Sequence, residues 1–187
     1  LEDALRLTIE RKWYLFALVT AVGFALDLYT KHLAVVNLKV GMPVNVIGPF
    51  AQFVLVFNKA AIWGLDPRRL VPWFPLNGFF MVFSVVAVVI VLAYYASIKK
   101  SDVLMQWGIS LIMPGAMGNL WDRIVHGSTG VVDFIRLGIS ENVYWAIFNM
   151  ADAYVTIGVA LMVLNFILEG RNQKAKNTPA QSAGATV

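Results

Sequence analysis

Four aspartates stand inside or beside long apolar stretches of this chain: Asp27, Asp122, Asp133 and Asp152. Asn58, Asn119 and Asn149, with Lys31 and Arg123, accompany them. An ionisable group at membrane depth is costly, so it needs a partner or a task. Helical spacing groups these residues. Asp27 and Lys31 are one turn apart; Gly115, Asn119, Asp122 and Arg123 share a face; Asn149, Asp152 and Thr156 share another. Lys31 and Arg123 favour the ionised, structural state of Asp27 and Asp122. Asp133 lies between Val132 and Phe134, Asp152 between Ala151 and Ala153, and neither has a basic residue within two positions. Two close carboxyls in such semi-apolar settings would share one proton. One would act as base toward a water, the other as acid toward a carbonyl or a leaving amine. That is the chemistry of aspartic proteolysis, and it needs no serine, thiol or metal.

Each candidate also has a plainer role. Asp27 and Lys31 could form an interfacial ion pair, and Asp122 with Arg123 could anchor a helix end. Asp133 could be a solvated turn residue, and Asp152 an acid at a helix N-terminus. The three asparagines could be caps or interhelical glue. His126 reads as an exposed loop histidine. With no cysteine and two distant histidines, His32 and His126, the chain has no disulfide, no thiol nucleophile and no recognisable metal-ligand spacing. No cofactor is expected. Basic residues sit largely beside apolar spans, without a stripe of stacking aromatics, so no nucleic acid is expected either.

These residues must be held by something. Of 187 residues, 59% are hydrophobic and only 14% charged, against roughly 25% charged in soluble domains. Apolar runs cover about 13–36, 76–97, 103–125 and 146–168, each close to the roughly 20 residues that cross a bilayer as a helix. The reading is an all-α membrane protein of four transmembrane helices with a small outer β-cradle. Its single domain covers 1–170, with the cradle at about 37–75, and 171–187 form a disordered cytoplasmic tail. Short segments at Arg6, Arg11, Lys12, Lys99, Lys100, Arg171, Lys174 and Lys176 favour termini inside. Asp27, Asp122, Asp133 and Asp152 then fall at the outer side. Short strands are expected in 42–58 and at Val131–Ile135. The rival class is a small ion-coupled transporter or channel, with carboxylates that bind protons or cations. Against it, the acids gather at one face rather than the midplane, and no internal repeat is visible.

Five strings in order resemble the lipoprotein signal peptidase (signal peptidase II) family. Asp27-Leu28-Tyr29-Thr30-Lys31 resembles its D-x-x-[ST]-K, and Asn58 to Gly64 resembles N-x-G-A-[AS]-F. Gly115 to Arg123 is similar to G-A-x-G-N-x-x-D-R, Gly130 to Phe134 contains its V-V-D-F, and Phe148 to Asp152 is similar to F-N-x-A-D. The resemblance implies an aspartic endopeptidase of the bacterial inner membrane. It would cut diacylglyceryl-modified prolipoproteins just before the lipidated cysteine. Apart from that resemblance, a monomer among membrane lipids is expected. The resemblance assigns catalysis to Asp133 and Asp152. It makes Asp27, Lys31, Asn119, Asp122, Arg123 and Asn149 supporting residues, and Asn58 a substrate contact. Ala60, Ile62 and Trp63 depart from the pattern, a change that bears on the cradle loop and leaves the dyad untouched.

Overall fold

The computed structural model describes residues 2–59, 75–140 and 143–177. Four helices dominate: α1 (Glu2–Asn37), α2 (Leu76–Ser97), α3 (Val103–Val125) and α4 (Met150–Asn177). The stretches Arg11–Asn37, Leu76–Ser97 and Met150–Asn172 are long and apolar enough to cross a membrane. In α1 the periodicity is turned inside out. Leu18, Val22, Leu26, Tyr29 and Leu33 are exposed, while Lys12, Phe16, Asp27, Lys31 and Ala34 are buried. Lipid solvates the apolar stripe, so the interior takes the polar one.

Helix α3 is central and packs against α1, α2 and α4. Its buried face carries Gln106, Gly108, Ser110, Pro114, Gly115, Gly118, Asp122 and Arg123. Small residues let the helix axes approach closely. One end of the bundle has an apolar core of Phe16, Tyr95, Ile98, Met105, Ile109 and Met113. The other is closed by a sheet that packs Leu55, Val132 and Phe134 on Ala34 of α1.

That sheet has four antiparallel strands in chain order: β1 (Val44–Ile47), β2 (Ala51–Asn58), β3 (Val131–Ser140) and β4 (Val143–Tyr144). Its composition corrects the expected cradle, which was to come from the α1–α2 connection alone. Half of the strands come from 131–144, because β2 pairs with β3 from Ala51↔Leu137 to Asn58↔Val131. β3 also runs past the expected end at Ile135. The start of span four needs a second correction. Residues 146–149 are not helical: Phe148 bridges to Ile135, and α4 begins only at Met150. The backbone of Phe148 makes three bonds to β3, accepting from Ile135 at 2.8 Å and Phe134 at 3.1 Å and donating to Ile135 at 3.0 Å. At the far end α4 continues to Asn177, through the first residues of the expected tail, whose Lys, Arg, Gln and Ala suit a helix. The departures at Ala60, Ile62 and Trp63, the rest of the expected cradle from 60 to 74, and residues 178–187 lie outside the described residues.

Candidate active site

The polar residues converge where the bundle meets the sheet. Lys31 is their hub. Its buried ammonium lies 2.8 Å from Asp27 Oδ2 and 2.9 Å from Asp122 Oδ2, and it donates to Asn119 Oδ1 at 3.2 Å. Each of these carboxylates also grips a backbone N–H. Asp27 Oδ1 accepts from Ala151 at 2.9 Å, and Asp122 Oδ2 from Val132 at 3.0 Å. Ala151 precedes Asp152, and Val132 precedes Asp133. One lysine thus fixes, through two carboxylates, the chain just before each member of the pair. The ion pair considered for Asp27 and Lys31 exists, and it is tied to the first turn of α4.

Asn149 links the pair itself. Its amide donates to Asp133 Oδ1 at 2.7 Å, and its carbonyl oxygen accepts the Asp152 N–H at 2.9 Å. Asp152 Oδ2 faces the Asn149 N–H at 3.4 Å, completing a reciprocal cap of α4. Asn58 donates to Asp133 Oδ2 at 2.8 Å, and Asn119 donates to Asp152 Oδ1 at 2.9 Å. Both aspartates are buried. Burial, and next the charge of Asp152, push the Asp133 carboxyl up to about 7; the bonds from Asn58 and Asn149 and the charge of Lys31 pull the other way. The solvated-turn role considered for Asp133 is therefore excluded. Beside Asp152 a cleft of about 320 Å³ opens between Asn58, Leu137, Trp145, Phe148, Thr156 and Ile157.

Two glycines are required by these approaches. A Cβ on Gly118 would collide with Asp27 Oδ2. Gly130, at φ +105°, lets the chain pass the Asn58 carbonyl on its way into β3. Arg123 is buried near the cluster, and its guanidinium stacks 4.6 Å from the Phe80 ring centroid. Asn77 donates to the Arg123 carbonyl at 3.2 Å. Sequence reasoning passed over Asn77 and Phe80, because nothing local distinguishes them from the rest of an apolar span. Among the described residues no three His, Asp or Glu side chains are arranged to hold a metal.

A lipid-facing helix bundle that buries a network of carboxylates under a small sheet defines a membrane enzyme of the acid–base kind. The Signal peptidase (SPase) II family matches residues 19–168. A lipoprotein signal peptidase of Aquifex aeolicus is 36% identical over 171 residues, 89% of this chain and 91% of the relative. One from Listeria monocytogenes serotype 4a is 31% identical over 159 residues, 85% and 97% of the two chains. Two solved structures of a bacterial membrane enzyme superpose with TM-scores of 0.70 and 0.67, at 25% and 27% identity. The first covers 92% of this chain and 94% of the solved one; the second covers 81% and 91%. The chain belongs to the signal peptidase II family, and is thus a membrane endopeptidase of the aspartic class.

Proposed function

We propose that Asp133 and Asp152 are the catalytic dyad of a prolipoprotein signal peptidase. It cleaves diacylglyceryl-modified precursors just before the lipidated cysteine. The observation that carries this reading is Asn149, which donates to Asp133 while accepting from the backbone of Asp152. It orients two carboxyls that otherwise have no reason to lie together at the rim of an apolar cleft. The raised Asp133 carboxyl supports a shared proton. A water between the carboxyls attacks the scissile carbonyl. One aspartate takes the water's proton, and the protonated partner polarises the carbonyl and later protonates the leaving amine. The pair titrates as a unit, so the proton belongs to both.

In this reading all four helices span the inner membrane, α3 shielded by its neighbours. The termini are cytoplasmic, and the sheet and dyad face the periplasm. Residues 1–170 act as one domain and work as a monomer among membrane lipids, with the rest as a tail. Asp27, Lys31, Asn119, Asp122, Arg123 and Asn149 hold the dyad, and Asn58 contacts substrate from β2. The lipid chains stay in the bilayer while the peptide lies extended along the cleft. The test uses purified protein in detergent with a diacylglyceryl-modified precursor and an unlipidated control. Asp133→Asn and Asp152→Asn should each abolish cleavage with the protein still folded. Normal turnover by either variant overturns the dyad.

A further inference from the structure

Resting on that reading, we propose that His126 is a positioning residue for Asp133, acting through Asp122. The expectation of an exposed loop histidine does not describe its setting. His126 closes α3, its N–H donating to the Asp122 carbonyl at 2.7 Å, and only 34% of its side chain is exposed. Its Nδ1 is buried, lacks a hydrogen-bond partner and lies 3.5 Å from Asp122 Oδ1. The two oxygens of Asp122 therefore have different neighbours. Oδ2 takes Lys31 and the Val132 N–H; Oδ1 faces the imidazole.

The other side of the ring meets Phe57, edge-on with centroids 6.4 Å apart. Phe57 precedes Asn58, which donates to Asp133. The imidazole thus stands behind both supports of Asp133: the carboxylate that grips the preceding residue, and the strand that carries the asparagine. Among the described residues the charged groups around it are few. Asp122 faces it from its own helix, Lys31 of α1 lies beyond on the other oxygen of Asp122, and β2 presents an uncharged ring.

A neutral imidazole with a bare Nδ1 would turn a lone pair toward a carboxylate. The arrangement makes sense with a proton on Nδ1, and a full positive charge strengthens it, also at the C-terminus of α3. A proton on Nδ1 tightens Asp122, and with it Val132 and the strand leading into Asp133. Nothing in this step moves a proton to substrate, so His126 is not a catalytic residue.

The test compares wild type, His126→Ala and His126→Lys on the lipid-modified precursor. His126→Ala should lose about three- to tenfold in kcat, with KM unchanged. His126→Lys keeps a cation one turn from Asp122 and should restore the rate. A His126→Ala variant with wild-type kcat, or with the loss in KM alone, overturns the proposal. So does a His126→Lys variant no better than His126→Ala. Failure of wild type to cleave would instead overturn the function on which the proposal rests.

Discussion

Both ends of the bundle bury a lysine, and the two are neutralised in different ways. At one end Lys12 donates to the Ile98 carbonyl at 2.8 Å and the Ala96 carbonyl at 3.2 Å. Its ammonium also lies 5.0 Å from the ring centroid of Tyr95. That tyrosine donates to the Lys12 carbonyl at 2.7 Å. Among the described residues every acceptor there is a neutral dipole or a ring, so the lysine closes the C-terminus of α2. At the other end Lys31 meets two full carboxylates, and these go on to hold the chain before Asp133 and Asp152. A cation among dipoles locks a helix end. A cation among anions gathers acids that would repel each other without it.

Removing each lysine should therefore give different failures. Lys31→Met leaves two buried carboxylates without their cation. It should cost about 3–5 kcal/mol of stability and abolish cleavage, read by thermal unfolding and the precursor assay. Retained activity at normal stability would mean that the hub is dispensable. The next effect is on pH. The folded-state carboxyl of Asp133 is raised to about 7, so its contribution to stability is full below the ordinary aspartate range. That contribution falls as pH rises toward about 7 and then levels off. Unfolding temperatures measured from pH 4 to 8 should show the fall in wild type and lose it in Asp133→Asn. Cleavage should also drop above about pH 7, as the shared proton leaves. Lys12→Met is the mildest. It should cost about 1–3 kcal/mol while kcat per folded molecule stays unchanged. A lowered kcat there would show that the two ends are coupled.

Most of the helical frame was legible in the sequence. Apolar runs predict α2 at 76–97 and α3 at 103–125, the bounds that the structure shows. Length and hydrophobicity suffice where lipid is the solvent. The strand content of 42–58 was legible from its Pro and Gly punctuation. Its partner was not, because pairing between β2 and β3 is non-local and no pattern in either segment names the other. The late start of α4 was hidden for the same reason: Ala146 to Phe148 is apolar, and only the bridge to Ile135 keeps it extended. At the site, lack of basic neighbours singled out Asp133 and Asp152. For Asp122 the sequence offered Arg123, whose charge does act on it, and missed its direct ion-pair partner. Arg123 is adjacent in sequence, whereas Lys31, from another helix, makes the 2.9 Å contact. Adjacency along a helix says little about contact when consecutive side chains point about 100° apart.

The pairing of β2 with β3 has a consequence for how the chain is made. Asn58 and Asp133 are 75 positions apart, and Asp152 lies further on, in α4. Synthesis proceeds from the N-terminus, and contacts of such separation form late. A nascent chain that has completed α1, α2 and most of α3 still has neither aspartate of the pair and only half of its sheet. With the proposed dyad, proteolytic competence is an event near the end of translation. A fragment stalled before β3 would then be inert toward its neighbours, and the side of β2 away from β1 would be an open edge that quality control could recognise.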